Sequence, residues 1–197
     1  MSVFTSVKSA QFLRQYLGAP GRTGAVLPSS EALAHLITDS AKLADARAIV
    51  EWGPGTGVFT EKILGKKSAN ALFFAMELNP EFAAATRLRC PKAEVIHESA
   101  VHTRKYLTER GATGCDRIIC GLPWASFPDA LQDELLDTLA SVLNPGGIFV
   151  TFAYLQGLML PAGWKFRKKL RARFPNTKTT RVVWLNVPPA FVYCAEK

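Results

Sequence analysis

The chain has 197 residues, 48% hydrophobic and 20% charged, which excludes a disordered segment and suits one α/β domain spanning 1–197. A formal net charge of +8 draws it to polyanions, either nucleic acid or an anionic membrane leaflet, without choosing between them. Cys90, Cys115, Cys120 and Cys194 show no metal-ligand or redox spacing, so no metal site or disulfide framework is expected, and a reducing cytoplasmic compartment fits.

Met1 to Leu17 reads as a helix closed by Gly18-Ala19-Pro20-Gly21, without the continuous apolar core or cleavage site of a secretion signal. Ser29-Ser30-Glu31 then starts a helix to about Leu43, with apolar Leu33, Leu36, Ile37 and Ala41. From there strands and helices alternate. Strands are expected at Ala48 to Val50, Ala71 to Met76, Ala93 to His97, Asp116 to Cys120 and Gly147 to Tyr154. Helices are expected at Gly55 to Leu64, Pro80 to Leu88 and Asp129 to Leu143. The uncharged run GIFVTFAYLQGLMLPAGW (147–164) opens after Pro145-Gly146 and is broken by Gln156, Gly157 and Pro161, so it reads as a buried strand and a loop, not a membrane span. Thr180 to Asn186 and Ala190 to Ala195 read as a terminal hairpin around Val187-Pro188-Pro189. The whole is an α/β architecture: a mostly parallel sheet with helices on both faces and an antiparallel edge.

The densest signal is Glu51-Trp52-Gly53-Pro54-Gly55-Thr56-Gly57, at the end of the first core strand and opening a helix. Glycines there let the backbone approach a ligand where a Cβ would collide. The spacing disfavours a dinucleotide. An acid ahead of Gly-x-Gly-x-Gly instead resembles motif I of the class I S-adenosylmethionine-dependent methyltransferases, whose seven-stranded Rossmann-like layout matches the expected elements. The resemblance implies that Glu51, Gly53, Gly55, Thr56 and Gly57 hold the cofactor, with the acid near its amino-acid end. Glu77, at the next strand end and about 20 residues beyond the glycines, has the position of a ribose-diol acceptor, with Leu78 beside it. After the third strand, Ser99 and Ala100 take the place of the adenine contact, where many methyltransferases carry an acid; Glu98 is the alternative. His97 reads as an ordinary strand-end histidine.

Cys120-Gly121-Leu122-Pro123-Trp124-Ala125-Ser126-Phe127-Pro128 follows the fourth strand and should face the transferred methyl. Adenine-N6 methyltransferases carry Asn or Asp where this chain has Gly121, so the group that receives a base amine is missing. The loop is similar to that of the small soluble bacterial phosphatidylethanolamine N-methyltransferases, and the resemblance spans nearly the whole chain. Its family-specific parts are Gly24-Ala25-Val26 with Pro28-Ser29-Ser30, and Asn186-Val187-Pro188-Pro189-Ala190. Trp52 departs from it, a smaller residue being usual there.

This resemblance implies S-adenosyl-L-methionine as methyl donor, S-adenosyl-L-homocysteine as product and a phospholipid headgroup amine as acceptor. Gly121 would close the cofactor site, with Arg22, Leu122, Pro123 and Phe127 as substrate contacts. Trp124, Phe127 and Tyr154 offer aromatic faces to a methylated ammonium. Tyr16, Trp124 and Tyr154 are the catalytic candidates, and no general base stands out. The expected location is cytoplasmic, peripheral to the inner face of the cell membrane, with no obligate protein partner evident.

Residues 1–43 would form a lid or a membrane-docking segment ahead of a core at 44–197, and the two roles are compatible; Arg14 lies close to the apolar Val3–Val7–Leu17 stripe. The basic run Lys165, Arg167, Lys168, Lys169, Arg171 and Arg173 suits anionic headgroups, RNA or plain solvation. Three readings stand in order: a phospholipid N-methyltransferase, an RNA or small-molecule methyltransferase, and a noncatalytic binding module.

Overall fold

The computed structural model describes residues 29–197; the helix expected over Met1 to Leu17, and the candidates Tyr16 and Arg22, lie outside the described residues. A parallel strand covered on both faces needs apolar side chains at nearly every position, and β1 (Ala48–Trp52) is buried throughout. β2 (Leu72–Met76) and β4 (Cys115–Cys120) flank it in parallel, and β3 (Val95–Ile96) pairs outside β2. β5 (Leu143–Tyr154) extends the parallel sheet beyond β4. β7 (Ala190–Glu196) runs antiparallel to β5, and β6 (Lys178–Thr179) antiparallel to β7 at the edge. The seven strands stand in the order β3-β2-β1-β4-β5-β7-β6, the mostly parallel Rossmann-like sheet that the strand–helix alternation implies.

Successive strand residues point to opposite faces, and each face has its own core. Ile49, Phe73, Ile119 and Val150 pack with α1 (Glu31–Ser40), α2 (Val58–Lys66) and α3 (Pro80–Arg89). Val50, Phe74, Ile118 and Phe149 pack with α4 (Thr103–Glu109), α5 (Asp129–Val142) and α6 (Pro161–Arg173). Helix starts follow the local chemistry. The Ser30 hydroxyl accepts from the Leu33 N–H, while Asn79 accepts from Glu81 and Phe82 N–H ahead of Pro80. Trp52 is fully buried, and its indole N–H donates to Thr103 Oγ1 at 2.9 Å, which answers the polar demand of a large residue at that position.

Three expectations change. The loop expected after Tyr154 is a 3₁₀ turn (Leu155–Met159) leading into α6, because Pro161 opens that helix instead of breaking the chain. The terminal hairpin is paired at Lys178 and Thr179, with only Val183 of the expected strand bridged, to Ala190. Pro188 and Pro189 bring no N–H to a ladder, and Asn186 spends its amide on the Pro188 carbonyl at 2.7 Å. Thr103–Glu109 is helical where the sequence shows no clear period. No helix among the described residues is long and apolar enough to cross a membrane.

Candidate cofactor and substrate site

From β1 the chain winds outward to β2 and β3 on one side, then returns to β4 and β5 on the other. Such a reversal leaves a crevice beyond the carboxyl ends of the two central strands, where open α/β sheets bind ligands. A cavity of about 590 Å³ lies there, between the turn after β1 and the loop after β4.

Its cofactor half is built from the turn Gly53 to Thr56, all four residues lining the wall, with Glu77 from the end of β2. Gly55 has φ +58° and nothing within 4 Å of where a Cβ would stand, so the bare backbone edge is an open cradle. Its N–H donates to Glu77 Oε2 at 3.1 Å, and the Asn79 N–H donates to Oε1 at 2.9 Å. These bonds fix the carboxylate and leave lone pairs for two further donors, as a ribose diol requires. Burial pushes the Glu77 carboxyl above its ordinary range, against the pull of the Asn79 and Gly55 N–H groups.

Gly57 lies outside the cavity wall and caps α2 without a side-chain bond. The first turn of that helix, with Val58 and Phe59 on the wall, presents its positive end to whatever occupies the cradle.

Glu51 is placed differently from its expected role. It is fully buried inside β1, off the cavity wall, with Oε2 accepting from Thr60 Oγ1 at 2.7 Å. Oε1 has no hydrogen-bond partner among the described residues, and burial pushes the carboxyl up to about 8. Leu78, Ser99 and Ala100 are also buried and off the wall. The Ser99 hydroxyl accepts from the Val101 N–H at 3.4 Å, and its N–H donates to Glu98 Oε1 at 2.8 Å, so that corner is occupied by its own turn. The His97 ring lies 3.0 Å from the Leu78 carbonyl, a structural contact.

On the acceptor side, Gly121, Leu122, Pro123, Trp124 and Tyr154 line the cavity. Gly121 is glycine for a steric reason: a Cβ there would run into the Gly53 carbonyl oxygen of the neighbouring turn. No Asn or Asp side chain fits at that position. Trp124 is held in place by its N–H, which donates to Thr151 Oγ1 at 3.1 Å, and by its ring, stacked 4.7 Å from that of Phe166. Gln132 Nε2 donates to the Trp124 and Phe127 carbonyls at 2.8 and 3.1 Å, which locks the loop. Phe127 packs against Trp124 and does not reach the wall. Burial raises the Tyr154 phenol above its usual value.

Several wall residues were not singled out from the sequence: Phe82, Phe152, Gln156, Leu158, Leu160 and Phe166. The signal for the last four was Pro161 as a helix start, which folds the apolar stretch back over the cavity. Ser29-Ser30 and the tail at Asn186 to Ala190 also meet. Asn186 Oδ1 accepts from the Ser30 N–H at 3.0 Å, next to Ser29 on the wall, and the Pro189 carbonyl accepts from the Leu155 N–H at 2.8 Å.

No protein-family model matches the chain. An ornithine lipid N-methyltransferase from Singulisphaera acidiphila is 28% identical over 185 residues, 92% of each chain. Among solved structures, the O-methyltransferase from Bacillus cereus in complex with S-adenosylhomocysteine matches with TM-score 0.66 and 15% identity, over 96% of this chain and 91% of that one. The precorrin-6y C5,15-methyltransferase from Geobacter metallireducens matches with TM-score 0.65 and 15% identity, over 87% and 90%. The open edge at Gly55, the Glu77 acceptor and the uncapped start of α2 fit S-adenosylmethionine, whose ribose and amino-acid carboxylate need such partners. The chain thus has the fold of the class I S-adenosylmethionine-dependent methyltransferases, with the cradle of that fold at the carboxyl ends of β1 and β2.

Proposed function

We propose that the chain transfers the methyl group of S-adenosylmethionine to a lipid headgroup amine, that of phosphatidylethanolamine and its partly methylated forms, towards phosphatidylcholine. The observation that carries the reading is Gly121. Its side chain is barred by the Gly53 carbonyl, so the wall offers aromatic and apolar faces where a base amine would need an amide or carboxylate. The similarity to an ornithine lipid N-methyltransferase supports a lipid amine, and makes the ornithine lipid amine the second candidate acceptor.

S-adenosylmethionine bound in the cradle supplies a methyl group on a cationic sulfur. The amine nitrogen forms the new N–CH₃ bond as the S–CH₃ bond breaks, and the amine proton passes to water. The rate then depends on positioning, which this wall is built to give. Trp124 cannot turn, being bonded to Thr151 and stacked on Phe166. The Tyr154 phenol, its affinity for the proton raised by burial, stays protonated at neutral pH. It can accept a hydrogen bond from the amine at Oη without becoming its base. The faces of Trp124 and Tyr154 attract the cation as methyl groups accumulate. The enzyme would work at the inner face of the cell membrane, peripherally bound to an anionic surface.

The test supplies methyl-labelled S-adenosylmethionine to the full chain with phosphatidylethanolamine vesicles, ornithine lipid vesicles and ribosomal RNA in parallel. Label in phosphatidylethanolamine is expected. Label in ornithine lipid alone would move the acceptor, and label in RNA alone would overturn the lipid reading.

A further inference from the structure

Seven of the eight exposed large apolar side chains among the described residues belong to two short segments, Leu158 to Trp164 and Trp184 to Val187. These segments leave the same end of the sheet. Tyr154 closes β5 and pairs with Ala190; Val183 bridges Ala190 from the other side, and the Leu155 N–H donates to the Pro189 carbonyl. That is the end where the cavity opens. Leu158 and Leu160 are at once part of its wall and exposed, so the patch runs into the mouth, beside the exposed polar wall residues Gln156 and Ser126. Met159 is 87% exposed, Leu185 83%, Trp184 69% and Trp164 59%.

Exposed apolar side chains grouped at a cavity mouth mark an interaction surface. The charges beside them indicate which kind. The basic run on α6 divides into two faces. Lys165, Lys169 and Arg173 form a ladder with Asp129, Asp133 and Asp137 of α5. Arg167, Lys168 and Arg171 have no acidic partner among the described residues. Lys168 sits 5.6 Å from the centroid of the exposed Trp164 ring, on the same helix that carries Arg167 and Arg171. Apolar tips, two tryptophans and unpaired cations on one face are what the interfacial layer of an anionic bilayer accommodates. Tryptophan settles at the headgroup level, apolar tips enter below it, and Lys and Arg meet the phosphates.

We propose that this end of the molecule is a membrane-inserting face. Leu158 to Leu160, Trp164 and the turn Trp184 to Val187 enter the bilayer surface around the cavity mouth, while Arg167, Lys168 and Arg171 contact anionic headgroups. The proposal rests on the lipid reading of the cavity, and it deepens that reading by giving the acceptor a direct path from the leaflet to Trp124 and Tyr154.

The four tryptophans make the test direct. Trp52 and Trp124 are buried at 0% and 3% exposure, so a lipid-induced change in emission reports Trp164 and Trp184. The full chain is mixed with phosphatidylglycerol vesicles carrying brominated acyl chains, and with phosphatidylcholine vesicles as the neutral arm. Binding is read by co-sedimentation in the same samples. Blue-shifted, bromine-quenched emission is expected with the anionic vesicles, and its loss in the Trp164→Phe/Trp184→Phe double variant. Lys168→Glu together with Arg171→Glu should weaken binding to those vesicles by at least tenfold. Co-sedimentation with unquenched, unshifted tryptophans would overturn the proposal, because another part of the chain would then be docking. Absence of co-sedimentation, or binding of ribosomal RNA in its place, would overturn it equally. Methyl transfer to detergent-dispersed lipid amine separates the two readings. Insertion without transfer to any lipid removes the acceptor assignment and keeps the face; transfer with tryptophans left in water does the reverse.

Discussion

Glu51 shows how a residue can be legible as a motif while its surroundings are not. The sequence places an acid before the glycines, and the resemblance puts it near the amino-acid end of the cofactor. The structure buries it in β1 with one oxygen on Thr60, because strand alternation at that position aims it into a helix-covered face instead of the cavity. Its carboxyl is pushed from 4.5 up to about 8 by burial. Between those two values the unfolded chain ionises at Glu51 while the folded chain keeps its proton, so stability is full below the lower value and falls as pH rises to the upper one. At about 1.4 kcal/mol for each tenfold change in proton affinity, the loss amounts to several kcal/mol. Glu51→Gln should therefore gain stability relative to the parent chain between pH 5 and 8 in urea titrations. A constant difference across that range would contradict the burial account.

At the same scale, Gly55→Ala should cost roughly 1–2 kcal/mol of stability for a Cβ in the left-handed region. The new methyl group points into the open cradle. Binding of S-adenosylhomocysteine, measured by calorimetry, should weaken at least tenfold in a chain that still folds. The positions of Gly121 and Glu77 on the cavity wall were readable from the sequence because they follow strand ends. The reason Gly121 must be glycine was not, since the Gly53 carbonyl comes from a turn about seventy residues away.

The elements that were plain in the sequence are those whose period survives burial on one or two faces: β1, β2, β4, β5 and the amphipathic α5. α6 was obscured because its first turn, Pro161-Ala162-Gly163-Trp164, follows an uncharged strand and carries its charges only later. The charge run itself gave no hint of the division into faces, which depends on α5 lying alongside. Asn186 is the other case. It joins the tail to Ser30 across 156 residues, a pairing that no local pattern encodes. Its side chain is nearly buried and makes two backbone bonds, to the Ser30 N–H and the Pro188 carbonyl. Asn186→Ala leaves both partners unpaired and should lower stability by about 1–3 kcal/mol in urea unfolding. A change within a few tenths of a kcal/mol would show that the tail is held by its pairing with Tyr154 and Val183 alone.

Across the whole molecule, the sheet order puts the cofactor cradle and the acceptor loop on either side of one reversal point, and the unpartnered apolar segments around the same opening. That arrangement was legible as far as the strand–helix alternation reached, because the crevice position follows from the topology. The exposed face was not, since Leu158 to Leu160 look like core until the chain is seen to turn at the surface. Under the proposed function, the donor would sit in the cradle and the acceptor would come from a membrane at the mouth.

The most direct measurement is transfer of label from methyl-labelled S-adenosylmethionine into phosphatidylethanolamine vesicles by the full chain and by Glu77→Gln. The account predicts labelled lipid with the parent chain. With the variant it predicts a loss of about 10- to 100-fold at limiting donor, the worth of a hydrogen bond to a charged group. Lipid labelling that is unchanged in Glu77→Gln, or absent in both while other amines are labelled, would contradict it.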